Sequence, residues 1–247
     1  MPTILKRVYF GILEWFHDWT QDPPQSAYRA TFNVPITRIK NARLVRRRAY
    51  TTLNDLDARL PVWVMYDLTP EHCDGPFKRS NAFTHDKSLP KGQRAELIDY
   101  DGSGYDRGHM ADDQDMRWNK KVEKESFILS NICPQLPAFN RGIWKVLENT
   151  VRGWCLARQN NFRVYLGPVY NYTSKTIGEN KVVVPDGFYR IIVDVITNET
   201  IAFLFPHGDL NSDNLAQYQA SVADIEKRTN IVFTVPDNKN QKCKMWK

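Results

Sequence analysis

The 247-residue sequence predicts an α+β fold. Two observations carry this. Runs of β-branched and aromatic residues recur in both halves of the chain. Each strand set is also followed by one stretch, 139–159 and 214–230, in which apolar residues return at helical spacing. Strand sets followed by single helices are the pattern of α+β layering rather than of alternating βαβ units.

Taken in order, the chain opens with Ile4, Val8, Ile12, Trp15 and Trp19 at helical intervals. This spacing predicts an amphipathic helix packed on the body or on a second subunit, with a membrane-surface or targeting helix as the alternative. Pro23 and Pro24 end it, because proline lacks the backbone donor. Residues 1–40 are therefore read as a helical arm, 41–236 as the main domain and 237–247 as a basic tail. Glu14, His17 and Asp18 interrupt the apolar start and no small-residue cleavage site follows. The expectation is an intracellular, cytoplasmic protein with no membrane span, since no apolar run is long enough to cross a bilayer.

The runs at 43–53 and 60–69 predict two strands joined by a turn over 54–59. Residues 70–104, rich in Gly, Pro, Asp and Lys, predict a long irregular loop, which in a compact domain is usually functional. A short strand is expected around 104–110 and another over 126–132. The helix at 139–159 carries an apolar stripe of Ile143, Leu147, Val151 and Trp154. Strands follow at 162–170, 181–185, 188–196 and 200–206, then a helix over 214–230 and a last strand at 231–235. Lys239, Lys242, Lys244 and Lys247 make the tail basic, and it is expected to be solvated and frayed.

Hydrophobic residues are 42% and charged residues 25% of the chain, ordinary for a globular protein. The net charge of +6 modestly favours polyanionic partners. Four cysteines without a CxxC spacing argue against a zinc module, suggest no disulfide framework and fit a reducing compartment.

The most reactive-looking stretch is "YDRGHMADDQD", 105–115. His109 follows a glycine and has Asp106 and Arg107 beside it. Cutting a phosphodiester requires a base for water, cations for the phosphoryl oxygens and stabilisation of the leaving alkoxide. An imidazole suits the first task, and arginine and a divalent cation suit the others. In the 139–159 helix, steps of four put Asn140, Trp144, Glu148 and Arg152 on one slanting stripe. An amide oxygen there is a hard ligand for Mg²⁺, and a nearby carboxylate can hold the ion's waters. The bland alternatives are a surface turn with an incidental histidine, an asparagine cap, and a solvated Glu148–Arg152 pair.

"DRGHMADDQDMRW", "SFILSNICPQ" and "FNRGIWKVLENTVR" stand in the order and nearly the spacing of the DNA/RNA non-specific endonucleases. The chain resembles this branch of the ββα-metal nucleases, the Serratia nuclease and endonuclease G group, and most of all its bacterial members, over about residues 43–235. The resemblance implies a central, mostly antiparallel sheet with helices on its faces. It implies a sequence-nonspecific endonuclease acting on DNA, with RNA as a second substrate, that uses Mg²⁺, with Mn²⁺ as a substitute. His109 would be the general base and Asn140 the sole direct protein ligand of the ion. Glu148 would orient water on the ion, and Asn131 would support the site by hydrogen bonding. Arg107 and Arg152 match arginines near the site, and Arg79 matches the one that clamps the scissile phosphate. Protonation of the 3′ oxygen would leave 5′-phosphate ends. Homodimers are common in the family, and a protein inhibitor is conceivable.

The chain departs from the bacterial pattern at Asp112, Asp113 and Gln114, where Pro-Ala-Ala is usual. Asp112 and Asp113 either face solvent and turn the chain, the preferred reading, or reach the ion's water shell. His72, Cys73 and His85 lack a fourth ligand for zinc and read as loop residues, and His207 as a turn residue. Arg43, Arg46, Arg47 and Arg48 form a strand face that tracks phosphates or keeps an edge strand soluble. Two rival functions remain. A non-catalytic nucleic-acid binder on the same scaffold has no need of a base beside a metal ligand. A phosphodiesterase for small substrates fits the basic surface and open loops less well.

Overall fold

The structure is a computed structural model that describes residues 34–236 and 238–246. The helix expected over 4–19 lies outside the described residues. At the centre is a six-stranded antiparallel sheet. Its strands are β2 (Ala42–Arg46), β3 (Tyr50–Asp55), β4 (Leu60–Leu68), β7 (Phe162–Val169), β10 (Gly187–Asp194) and β11 (Thr200–Pro206), in the order β11-β10-β7-β4-β3-β2. Three two-stranded ladders flank it. They are β1 (Ile36–Thr37) with β12 (Ile231–Val232), β5 (Asp106–His109) with β6 (Ile132–Gln135), and β8 (Thr176–Ile177) with β9 (Val182–Val183). Among the described residues the helices longer than one turn are, in chain order, α1 (Lys120–Ser126), α2 (Lys145–Arg158) and α3 (Val222–Thr229), with a single turn at Pro137–Phe139.

The strands read as continuous apolar runs because both sheet faces are covered. Alternation sorts their side chains. Phe162, Val164 and Leu166 of β7 and Phe188 and Ile192 of β10 face one core, which includes Leu147, Val151 and Trp154 of α2. Tyr165, Tyr189, Ile191 and Val193 face the other, closed by Val222 and Ile225 of α3 with Phe233. Arg190 has the parity of Phe188 and Ile192, so this fully buried cation enters the α2 side.

The structure corrects several sequence expectations. The run at 43–53 is two strands, not one, with a tight turn at residues 47–49 closed by Arg47 N–H to the Tyr50 carbonyl. The strand expected over 126–132 begins only at Ile132, because Ser126 ends α1 and Leu129–Asn131 forms a 3₁₀ turn. The helix over 214–230 is broken. Ser221 caps α3 by accepting from Asp224 N–H and donating to the Asp224 carboxylate, and a separate turn covers Leu215–Tyr218. The last strand shrinks to Ile231–Val232. The tail is docked rather than frayed: Trp246 is buried with its ring 5.5 Å from Trp154 and 5.1 Å from Phe162, and Lys239 Nζ meets Glu226.

The arginine face is largely committed to structure. Arg47 pairs with Asp86, Arg48 with Glu125, and Arg43 donates to the Ser88 carbonyl. Among the described residues no helix is long and apolar enough to cross a membrane. All four cysteines are free.

Candidate active site

The site grows out of the β5–β6 ladder. Gly108 lies opposite Cys133, and a Cβ on it would meet Gln135 Oε1 at 2.0 Å, so glycine here leaves room for the buried Gln135 side chain. Beyond His109 the ladder is continued by a side chain. Asn131, fully buried, accepts from Ala111 N–H at 2.9 Å and donates to the Ala111 carbonyl at 2.9 Å and to the Ser126 carbonyl at 2.9 Å. It reproduces a strand's pairing for Ala111 and ties α1 to the end of β5. Asn131→Ala is expected to cost about 2–3 kcal/mol, since it strands buried backbone groups, read as a lowered denaturant midpoint at constant slope.

His109 ends β5 at 7% exposure. Its ring stands edge-on to Phe127 at 4.7 Å and tilted to Phe83 at 5.5 Å. Nε2 is buried with no hydrogen-bond partner among the described residues. Burial, and then the charge of Arg79, push its pKa down to about 3; Asp112 opposes and Arg117 adds to the effect. The imidazole is therefore neutral at physiological pH.

Asp106, at the start of β5, faces the helical entry. Its Oδ2 accepts from Asn140 Nδ2 at 2.9 Å, and Arg141 binds both its oxygens at 2.8 and 2.7 Å. The Asn140 amide oxygen is left without a partner among the described residues. Asn140 does not continue α2 smoothly. Gly142, at φ −97° and ψ −114°, breaks the helical path inside Asn140–Trp144, ahead of α2. The slanting stripe expected from steps of four thus holds for Trp144, Glu148 and Arg152 but not through Asn140. His207 latches this entry: Nε2 accepts from Leu136 N–H at 2.8 Å and Nδ1 meets the Pro185 carbonyl at 2.8 Å. It is a structural tie more than a turn residue.

Glu148 and Arg152 are buried, not a solvated pair. Burial, then the neighbouring Asp112, lift the Glu148 carboxyl well above its ordinary range. Arg152 Nη1 bonds Asp112, and also Asp115 at 2.8 Å; Nη2 reaches Asn149 at 2.7 Å. Asp115 also accepts from the Tyr66 hydroxyl at 2.7 Å and lies 3.6 Å from Arg190. Burial favours a neutral Asp112, but the Arg152 guanidinium more than offsets it and holds the carboxyl below the usual range. Asp113 binds Arg79 through Oδ1 and takes Arg117 Nε and Nη2 on Oδ2 at 2.9 and 2.6 Å. The preferred reading of Asp112 and Asp113 as solvent-facing turn residues is therefore wrong. A sequence cannot show that arginines from 79, 117 and 152 converge on them. Arg107, by contrast, points to Asp101 at 2.8 Å and over the Phe83 ring at 5.4 Å. His72 stacks on Trp118 at 4.2 Å and His85 Nδ1 lies 3.1 Å from Glu96, so neither joins a metal cluster.

Sequence reasoning missed Arg117, Asp115, Tyr66 and Arg190. The available signals were a charged Arg190 inside the apolar run "FYRIIVDVI" and the presence of Asp115 and Arg117 within "DRGHMADDQDMRW".

The family model described as DNA/RNA non-specific endonuclease matches residues 29–241. The chain belongs to that family. It is accordingly a nucleic-acid hydrolase with a ββα-metal nuclease fold, for which the family implies a divalent metal ion and a nucleic-acid substrate. The match reaches beyond 43–235 at both ends. The chain is 30% identical to mitochondrial endonuclease G of Bos taurus over 207 residues, covering 78% of this chain and 69% of that protein. It is 28% identical to the mitochondrial nuclease of Saccharomyces cerevisiae, covering 92% and 75%. Among solved structures, a complex of EndoG with EndoGI, described as showing the mechanism of EndoG inhibition, superposes with a TM-score of 0.75. Identity there is 28%, with 87% of this chain and 93% of that chain covered.

Proposed function

We propose that this nuclease cuts DNA, and RNA, without sequence preference in a Mg²⁺-dependent reaction in which His109 activates water and 5′-phosphate ends result. The observation that carries the reading is the orphaned Nε2 of a buried, neutral His109 flanked by cationic Arg79 and Arg117. Buried polar atoms are rarely left unpartnered, and a neutral imidazole beside cations keeps a lone pair open to a proton, although its lowered pKa weakens it as a base.

The residues fit a divalent ion. Among the described residues no three His, Cys, Asp or Glu side chains are grouped to hold a metal. The free Asn140 amide oxygen, fixed by Asp106, is a hard oxygen donor suited to an ion that keeps most of its waters. Asn140 would hold Mg²⁺, or Mn²⁺ in its place, and Glu148 would orient its hydration water. When bound, the cation supplies charge neutralisation at the 3′ leaving oxygen and a source of its proton. His109 takes the proton from the attacking water. Arg79 neutralises a non-bridging oxygen and keeps the phosphate in line. Asn131 holds the backbone after His109, while Arg152 holds Asp112 and Asp115 beneath the site. Arg107 lies at the margin, where it can meet a neighbouring phosphate.

Plasmid and RNA cleavage with Mg²⁺ and then with EDTA tests this directly. Cleavage that survives EDTA, or products that ligate only after 5′ phosphorylation, would refute it. A pH prediction follows from His109. The neutral form is active, so rate falls as pH drops through the histidine's pKa. Because burial and Arg79 depress that pKa, kcat/KM should stay flat from about pH 7 to about pH 5, where an ordinary histidine would already lose most activity. A His109 ring titration by NMR centred near the ordinary value would contradict the buried geometry; an acid limb in rate alone would not, since the raised Glu148 carboxyl titrates too.

A homodimer to which residues 1–40 contribute is the expected assembly; equal masses in light scattering for the full chain and for one starting at Asn41 would exclude that role. The four free cysteines, and relatives that are mitochondrial nucleases, support a reducing intracellular setting.

A further inference from the structure

Asp113 is an unusual centre. It is nearly inaccessible, yet both its oxygens are taken by arginines that are themselves partly exposed. Arg79 comes from the irregular loop after β4 and Arg117 from the turn before α1. The two segments are stitched elsewhere too: Phe77 N–H donates to the Arg117 carbonyl at 3.1 Å, and Ser80 N–H donates to Glu123 at 2.6 Å. Arg79 lies over the Phe127 ring at 5.0 Å, and the same ring packs edge-on against His109. Both guanidinium charges act on His109. Arg79 donates through Nε to Asn81 and through Nη1 to Asp113, leaving Nη2 without a partner among the described residues. Arg117 donates through Nε and Nη2, leaving Nη1 likewise.

We propose that Arg117 is a second phosphate-contacting residue, and that Asp113 is the positioning residue that yokes Arg117 and Arg79 into one two-guanidinium cradle beside His109 for a backbone phosphate of the nucleic acid. The physical reason is order. A lone arginine on an irregular loop loses side-chain entropy when it grips phosphate. A buried carboxylate that already holds two guanidiniums fixes them before substrate arrives, and each still presents an N–H edge to an anion. Asp113 is too buried to be displaced by phosphate, so it anchors the arginines and does not compete for them. The repulsion between two neighbouring cations is relieved by the same carboxylate.

The proposal rests on the nuclease reading, and the test separates the two. Binding of a short labelled DNA duplex is followed by anisotropy in EDTA over a KCl series, and cleavage is followed separately with Mg²⁺, using the full chain throughout. Arg117→Ala is expected to weaken binding about tenfold at low salt and to reduce the slope of log K against log salt by about 0.9. Arg228→Ala, on exposed α3 across the sheet, removes the same charge and should leave the slope unchanged. Asp113→Asn keeps both cations and so keeps the slope, but should raise KM several-fold with kcat nearly unchanged. Arg117→Lys should restore the slope without restoring the KM, because lysine cannot make the two-point contact with Asp113. A wild-type slope in Arg117→Ala, or tighter binding by Asp113→Asn, overturns the cradle. If Asp113→Asn does not fold, the Arg117 variants decide alone. Failure of the wild type to cleave would refute the nuclease mechanism, while the slopes still report on the cradle.

Discussion

His109→Ala abolishes cleavage while leaving nucleic-acid binding almost intact: this is the expected result, with a fall in kcat of about 10²–10⁴-fold. The separation follows from the geometry. The charges we assign to phosphate binding are those of Arg79 and Arg117, which are held by Asp113 and not by the imidazole. His109 contributes the orphaned Nε2, and among the described residues its ring makes no hydrogen bond whose loss would loosen the β5–β6 ladder. Its ring does pack on Phe127 and Phe83, so the variant should lose some stability and keep the fold. Single-turnover cleavage beside anisotropy binding checks both halves. Turnover above about a tenth of wild type at neutral pH would remove His109 from its role.

The second large effect is structural. Arg152→Ala is expected to destabilise the protein by about 3–5 kcal/mol, because it leaves Asp112 and Asp115 buried without their cation. For a chain of this size the melting temperature should fall by roughly 10 °C. Removing Asp112 as well should recover much of the loss, since the double variant no longer buries that unpaired charge. The pH dependence gives a second check. In the wild type the Asp112 carboxyl is held below its unfolded value by Arg152, so it contributes stability above about pH 4 that is lost on acidification. Without Arg152, burial and the neighbouring acids push it upward, and protonation then favours the fold. The deficit should therefore be largest at neutral pH and shrink as pH falls. Denaturant melts at two pH values decide it; a deficit independent of pH would mean that Arg152 acts through packing alone.

Much of the architecture was legible because two periodicities are hard to counterfeit. The β7, β10 and β11 runs are apolar on both faces, and the structure buries both. Ile143, Leu147, Val151 and Trp154 keep helical spacing and all enter the core. Errors fell where a local signal opposes or outweighs the period. Ser221 caps α3 and cuts a promising run in two, and Gly142 lets the chain leave the helical path just where Asn140 sits. The 126–132 run looked like a strand because its residues suit one; Asn131 instead uses its side chain to finish the sheet.

By itself, the sequence determined the α+β class, the DRGH strand, the helix bearing Glu148 and Arg152, and the candidate base and amide ligand. Those are properties of short segments, where spacing and residue chemistry act within a few turns of chain. Only the tertiary structure decided what the acids do. Asp113 meets arginines 34 residues before it and four after, and Asp112 meets one 40 residues on. Whether such a carboxylate faces water or is buried against guanidinium depends on which distant segments the sheet brings together. Its charge, its partners and its ionisation are fixed by that environment, since the free energy of a charge depends on what surrounds it.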